Sequence, residues 1–230
     1  MQGLFLSART RRPMRGLMMA LAFTLVTISG FLPFADRAMA GTGDKPLVAG
    51  PSEASGEDLY HRGFYPEAME EWKKAVREKH DFGAAFRLGE EYLDGKFVPR
   101  DIDQALMFYR IGAEGGDRRA QMDYGMMYDK GYGVKPDVAV AARWYELSAQ
   151  QDFVSAQFNI GTMYADGVGV PRDHVKAYMY LLLASQNGFD QFAGPELDKL
   201  TPKMSSAEIK KASQMARAFR AAHPQQKEGL

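Results

Sequence analysis

The sequence predicts an all-α solenoid of helix-turn-helix repeats that ends in a C-terminal capping helix. Columns of like residues recur every 36 residues, and each repeat alternates helical periodicity with a glycine-containing turn. Such fixed-period similarity is typical of arrays in which each unit buries its apolar face against its neighbours. The columns are Gly89/Gly125/Gly161, Tyr92/Tyr128/Tyr164, Gly95/Gly131/Gly167, Val98/Val134/Val170, Asp101/Asp137/Asp173 and Ala105/Ala141/Ala177.

The composition is that of a globular protein and excludes several function classes. Of 230 residues, 46% are hydrophobic and 25% are charged. Residues 1–40 hold five Arg and one Asp, so the remaining chain carries 24 basic and 28 acidic residues. A mildly acidic body without a basic stripe argues against nucleic acid as a partner. The chain has no cysteine, which excludes disulfides, thiol catalysis and thiolate metal sites.

The N-terminal 40 residues predict a secretory signal peptide. Arginines between positions 9 and 15 precede the apolar stretch Leu17–Phe34, and Ala38-Met39-Ala40 offers small residues for a signal peptidase. We therefore expect cleavage after Ala40 and a periplasmic location. The alternative is a retained anchor in the inner membrane that faces the periplasm, because the apolar stretch approaches the roughly 20 residues of a spanning helix. Arg11-Arg12 leaves both the general and the twin-arginine export routes open.

Periodicity and turn residues divide the mature chain into units. We expect the first helix of each repeat to end at the Gly95/Gly131/Gly167 column, where the glycine has a positive φ. The second helix is expected to begin at the Asp column, whose carboxylates cap it. Ser205 and Glu208 predict a capping box that opens the last helix. The predicted units are a flexible linker 41–55, an N-terminal unit 56–81, repeats 82–117, 118–153 and 154–189, capping helices 190–222 with Pro195 in the first, and a disordered tail 223–230.

The Gly89, Gly125 and Gly161 column predicts close helix packing. Glycine inside a helix costs about 1 kcal/mol relative to alanine, so three in register indicate that something bulky needs the space. We expect an aromatic side chain of the paired helix to pack over each of them.

The repeat pattern A-x3-LG-x2-Y-x2-G-x-GV-x2-D-x3-A-x2-WY-x3-A resembles the Sel-1-like repeat family, a relative of the tetratricopeptide repeat. The resemblance covers 82–189 and implies a right-handed superhelix. Two positions depart from the pattern: Phe97 replaces a turn glycine, and Leu181 replaces a tyrosine. Upstream, residues 63–75 are similar to the second-helix half of a plain tetratricopeptide repeat, and a short helix near Glu53–Arg62 would complete that pair.

No catalytic, metal or cofactor site is expected. The four histidines lie in different units without the spacing of metal ligands. The Gly-x-Gly turns lack the context of phosphate loops, and the Asp column is explained by capping. Adjacent acidic residues, such as Glu70-Glu71 and Glu90-Glu91, are expected to diverge on their helices rather than converge as a glycosidase requires.

A protein or peptide is the expected ligand. The resemblance implies that the first helix of each unit lines a concave face, and a ladder of Phe86, Met122 and Phe158 there suits a bound helix or extended peptide. Alternatively, these side chains fill the superhelix interior. The predicted exposed positions of that face are Phe86, Glu90, Leu93, Met122, Met126, Asp129, Phe158, Thr162 and Ala165.

The sequence thus favours a non-catalytic periplasmic scaffold or adaptor, and the resemblance implies a regulatory role in the cell envelope. Two alternatives remain open. One is an enzyme that acts on peptidoglycan or another envelope glycan, which two carboxyls with raised pKa in one cleft would favour. The other is a structural factor that an uncleaved signal tethers to the membrane.

Overall fold

The computed structural model describes residues 50–223, and within this range every regular element is helical. Ten α-helices follow one another with short connections, and a π-helical turn at Ser185–Phe189 and a 3-10 turn at Thr201–Lys203 flank the ninth. The α-helices are α1 Glu53–His61, α2 Tyr65–Lys79, α3 Phe82–Asp94, α4 Ile102–Glu114, α5 Arg118–Lys130, α6 Val138–Gln150, α7 Val154–Asp166, α8 His174–Ala184, α9 Asp190–Leu200 and α10 Ser206–Ala222.

The repeated turns have the conformation that the sequence predicts. Gly95, Gly131 and Gly167 end α3, α5 and α7 with φ of 67°, 74° and 73°, a region that residues with a Cβ rarely adopt. The carboxylates of Asp101, Asp137 and Asp173 then accept backbone N–H bonds at the start of the second helices. Local sequence therefore sets both ends of the connection in each repeat.

The glycine column inside the first helices is a close helix contact, as predicted. A Cβ on Gly89 would lie 2.6 Å from the Tyr109 ring, and one on Gly125 would lie 3.0 Å from the Tyr145 ring. In the third repeat the covering side chain is Leu181 instead of an aromatic, 2.9 Å from the Cβ position of Gly161. The paired helices can pack at this distance only because the first helix carries no side chain there.

The core runs along the array as a series of adjoining clusters. Trp72 centres the first, Tyr109 and Met127 belong to the second, and Ile160 and Leu181 belong to the third; all five are nearly inaccessible to solvent. Each cluster joins side chains of successive helix pairs, which is how a solenoid buries its apolar surface.

The N-terminal pair begins earlier than the predicted unit boundary. Ser52 and Ser55 form a capping box, so α1 starts at Glu53, inside the predicted linker. The Trp72 indole donates a hydrogen bond to the Glu53 carbonyl oxygen at 3.0 Å and locks α1 onto α2. Phe97, which replaces a turn glycine, stacks on Tyr65 with ring centroids 3.4 Å apart and ties the first turn to α2.

The C-terminal end follows the predicted caps. Helix α9 contains Pro195, and the Ser205–Glu208 capping box opens α10. Helix α10 packs against α8 through Ala212 and Ala216, which are fully buried. His223 ends α10 and stacks on Phe219, although the predicted disordered tail begins there.

Several predictions lie outside the described residues: the signal peptide 1–40, most of the linker 41–55 and the tail from 224 onward. Between residues 50 and 223, none of the helices combines the length and the apolar character needed to cross a membrane.

Candidate functional site

The predicted binding residues lie on one layer of helices. Contacts join α1 to α3, α3 to α5, and α7 to α9. We call the surface of α1, α3, α5, α7 and α9 the inner face. It corresponds to the concave face that the sequence analysis assigns to the first helices.

Phe86 is not an exposed rung of this face, contrary to the prediction. Its side chain is only 6% exposed and packs in the cluster of Tyr109 and Tyr124. The guanidinium groups of Arg119 and Arg87 lie 4.5 and 5.6 Å from its ring centroid. The two cations therefore cover the ring, and a charged surface stands where an apolar one was expected.

These two arginines hold together the charged N-terminal part of the inner face. Arg119 Nη1 lies 2.6 Å from Glu53 Oε1, and its Nη2 lies 2.7 Å from Asp117 Oδ2. Arg87 Nη1 lies 3.0 Å from Glu90 Oε2, and the same guanidinium pairs with Glu57. The network joins α1, α3 and α5, and four carboxylates share two cations.

Asp123, on α5, adds a carboxyl group to this face, and no arginine among residues 50–223 contributes to the electrostatics of that group. Its pKa is raised to about 7, chiefly by burial and to a lesser extent by the charges of Glu90 and Asp117, while the hydrogen bond from the Tyr109 hydroxyl opposes the shift. The side chain therefore titrates near neutral pH. The pKa of Glu90 is also raised by burial, against the effect of its Arg87 partner.

A cavity of ≈ 200 Å³ opens beside this network, where α1, α2 and α3 meet. We call it the acidic pocket. Glu90 and Glu91, which are adjacent on α3 and are expected to diverge there, both line this one cavity. Its lining residues are Glu57, Tyr60, His61, Trp72, Arg87, Glu90, Glu91 and Asp94.

The C-terminal part of the inner face is apolar. Phe158, Phe189 and Phe192 form a cluster in which the ring centroids are 4.7–6.3 Å apart, and Phe192 is 48% exposed. We call these three rings the aromatic patch. Met122 reaches the same region, since its sulfur accepts a hydrogen bond from Asn159 at 3.6 Å. Met126 is likewise partly buried against this end of the core.

The remaining predicted residues are less prominent. Leu93 and Ala165 are partly buried against the core. Asp129 pairs with Lys130 at 2.7 Å, and the Thr162 hydroxyl donates to the Asn159 carbonyl oxygen of its own helix. Neither of these two polar interactions points to a ligand.

Several residues that set the charge of the inner face were not among the predicted binding positions, namely Arg87, Glu91, Arg119 and Asp123. A signal was present in the repeat itself. Glu91 occupies the column of Met127 and Met163, which are 0% and 8% exposed. A carboxylate at a position where the other two repeats have a buried methionine indicates that the first repeat has a role there other than core packing.

The histidines do not converge. His61 borders the acidic pocket, His80 ends α2 with a left-handed φ of 52°, and His174 begins α8. Among residues 50–223, no three His, Asp or Glu side chains are grouped so that they could hold a metal ion.

Comparison with known proteins agrees with this architecture. The family model for the Sel1 repeat matches three times, at residues 83–117, 118–153 and 154–189. The crystal structure of a Sel1 repeat protein from Oxalobacter formigenes is similar, with 34% identity and a TM-score of 0.53 over 57% of this chain and 97% of that one. None of the curated proteins matches the chain.

A second crystal structure has a lower similarity. It is c5321, a protective antigen present in uropathogenic Escherichia coli strains and displaying an SLR fold, with 20% identity and a TM-score of 0.49 over 78% of this chain. The match spans 49% of c5321, about half of its length. From the three family matches and the Oxalobacter formigenes structure together, we conclude that the chain belongs to the Sel1 repeat family.

Proposed function

We propose that this protein is a non-catalytic scaffold that binds a protein or peptide segment along its inner face. Sel1 repeat proteins generally mediate protein–protein interactions, and an array of stacked helix pairs offers an extended, preformed surface for this purpose. The proposal assigns binding to the layer α1, α3, α5, α7 and α9.

The aromatic patch is the observation that carries this proposal. Phe192 is 48% exposed while two further rings support it from behind. Aromatic side chains are enriched among the residues that dominate binding energy, because they bury much area and lose little conformational entropy. A large exposed ring held in place by its neighbours suits an anchor for a partner's apolar side chain.

The location of the protein is a second part of the proposal. The N-terminal pattern of arginines, apolar residues and Ala38-Met39-Ala40 supports export to the periplasm. A regulatory role there rests on the family resemblance alone. N-terminal sequencing of the protein from a cell envelope fraction tests it. A mature N-terminus at or near Gly41 is expected, and an intact N-terminus would indicate the membrane-tethered form.

The binding face is tested by crosslinked pull-down from a periplasmic extract. The variants Phe192→Glu and Met122→Glu place a carboxylate on the inner face, and we expect both to lose partners that the wild type recovers. Leu147→Glu is the matched control, because Leu147 is 44% exposed on α6, a second helix. Circular dichroism verifies that each variant is folded.

Equal recovery of every partner by the wild type and both inner-face variants would contradict the proposal. Loss of the partners by Leu147→Glu alone would move the binding surface to the second helices.

One observation favours a second candidate, an enzyme acting on an envelope glycan. Asp123, whose pKa burial raises to about 7, lies near Glu90, and a protonated acid beside a second carboxyl is the pair that glycoside hydrolysis uses. Glu90, however, is bound by Arg87 at 3.0 Å. Release of soluble fragments from purified peptidoglycan by the wild type, and its loss in Asp123→Asn, would support the enzyme; no release by the wild type would exclude this substrate.

A further inference from the structure

The acidic pocket carries more negative charge than its own arginine can neutralise. Four carboxylates line it, from Glu57, Glu90, Glu91 and Asp94, against the single guanidinium of Arg87. Arg87 is already engaged by Glu57 and Glu90. Within residues 50–223, neither Glu91 nor Asp94 has a basic side chain at ion-pair distance.

Glu91 adds an independent sign that a ligand belongs in this pocket. Its side chain is only 9% exposed, and no donor in the described part of the chain hydrogen-bonds its Oε2 atom. Burial raises the pKa of this carboxyl, and the nearby Tyr60 hydroxyl opposes the shift. Leaving a buried acceptor unpaired costs on the order of the desolvation penalty of the group, so the arrangement favours a donor from outside.

The walls of the pocket define the chemistry of that donor. Tyr60 and Trp72 line it beside the carboxylates, with ring centroids 5.7 Å apart. Carboxylates combined with aromatic rings favour a desolvated organic cation. A cavity needs only about 10–15 Å³ to hold one water molecule, so a volume of ≈ 200 Å³ exceeds the needs of a bare ion.

We infer that the acidic pocket binds the ammonium or guanidinium group of a Lys or Arg side chain on the segment that occupies the inner face. The inference rests on the proposed function, because the pocket shares Glu90 with that face. A bound segment would place its cationic side chain between α1 and α3 and direct its apolar side chains toward the aromatic patch.

The pocket is tested alone by NMR titration of the ¹⁵N-labelled protein with Nα-acetyl-arginine amide and with agmatine. Nα-acetyl-citrulline amide is the control probe, since it has nearly the same shape without the charge. We expect saturable shifts of amides in α1 and α3 with the two cations and none with citrulline. Glu91→Met should weaken cation binding at least tenfold, and Asp94→Asn should weaken it severalfold.

Glu91→Met carries the residue that the sibling repeats hold at this position, so the variant is expected to fold. Glu114→Gln, an exposed carboxylate on α4, serves as the matched control and should bind the cations as the wild type does. Absence of saturable shifts in the wild type, equal binding of citrulline, or unchanged affinity in Glu91→Met would each overturn the inference.

A second arm separates a side chain from a free small molecule. The peptide acetyl-Gly-Gly-Arg-Gly-Gly-amide should bind at least as tightly as n-butylguanidine, a small molecule with the same single charge. Tighter binding of n-butylguanidine would overturn the assignment to a bound segment. These probes do not involve the aromatic patch, so the two experiments can fail separately. If the cations do not bind but the inner-face pull-downs succeed, the proposed function stands without the pocket. If the cations bind but the pull-downs fail, the pocket stands without the proposed function.

Discussion

Glu91 places an ionisable carboxyl group at a buried position where the other two repeats have an uncharged methionine. Met127 and Met163 occupy the same column and fill the core with an adaptable apolar chain. Glu91 instead places a carboxylate with an unpaired Oε2 atom at the border of a cavity. Glu91 therefore lowers the free energy of unfolding and provides a polar group in the acidic pocket.

Replacing Glu91 by methionine should stabilise the protein. Removal of an unpaired buried acceptor is expected to raise the free energy of unfolding by about 1–3 kcal/mol at pH 7. The gain should shrink toward pH 4, because a carboxyl with a raised native pKa is protonated there and no longer buries a charge. Urea unfolding measures it, and a loss of stability in Glu91→Met at pH 7 would contradict this description.

Asp123 should give the stability of the protein a defined pH dependence. Its native pKa is about 7, while an unfolded aspartate titrates near 3.9, so between these values the native state binds the extra proton. The free energy of unfolding should therefore fall as pH rises from about 4 to about 7. Groups facing Asp123 that contribute to the shift are Tyr109, Glu90 and Asp117.

The variant Asp123→Asn isolates this effect. Its stability relative to the wild type should rise by roughly 1–3 kcal/mol between pH 5 and pH 7, since the amide cannot ionise. Urea unfolding of both proteins at four pH values checks this expectation, and parallel stability curves would refute it.

Residue-scale features were predictable only where their cause is local. The capping roles of Asp101, Asp137 and Asp173 depend on the next three residues, so sequence sufficed. The burial of Phe86 depends on guanidinium groups from α3 and α5, and the site at Glu91 depends on where α1 lies. The repeat column marks Glu91 as unusual, but it does not say which side chains of other helices lie beside Phe86 or Glu91.

At the scale of elements, each repeat depends on one close approach between its two helices. Gly89→Ala should lower the free energy of unfolding by about 1–3 kcal/mol, although alanine is the better helix former, because the new Cβ would lie 2.6 Å from the Tyr109 ring. The loss should be smaller when Tyr109→Leu is already present, since leucine is the third repeat's covering residue at Leu181. Thermal or urea unfolding of the four-member cycle measures this, and strictly additive losses would argue against the contact.

The last helix depends on its capping box. Ser205 accepts the Glu208 N–H at 3.3 Å, and the Glu208 carboxylate accepts the Ser205 N–H at 2.8 Å. Ser205→Ala should cost about 0.5–2 kcal/mol. Hydrogen exchange should accelerate in α10 and in α8 beneath it while α2 is unaffected, and a uniform increase along the chain would contradict the nearest-neighbour description of the array.

The bounds of the helices were predictable to within a few residues because the residues that signal a helix end lie close to it in the sequence. Gly95 and Asp101 bound the turn, and Ser205 announces α10. The short helix expected near Glu53–Arg62 is confirmed as α1, Glu53–His61. Only the linker boundary at residue 55 was too late, because a Ser52–Ser55 capping box inside a Gly/Pro/Ser-rich stretch resembles a linker.

At the scale of the whole molecule, the 36-residue period was sufficient to predict a solenoid. The three repeats share the turn glycine, the Asp that caps the second helix and the packing glycine, so adjacency follows from repetition. The repeat period did not predict the division of the inner face into a charged and an apolar part. That division depends on positions at which the repeats differ from one another, and these positions do not determine the fold. Binding specificity is therefore expected to reside in those differences.

The claim that the inner face is the binding surface is tested most directly by site-specific photocrosslinking in the native envelope. p-Benzoylphenylalanine replaces Phe192 on the inner face or Leu147 on a second helix, both of which are more than 40% exposed. We expect defined protein adducts from position 192 and none of the same partners from position 147. Adducts from position 147 alone, or identical partners from both positions, would contradict the account.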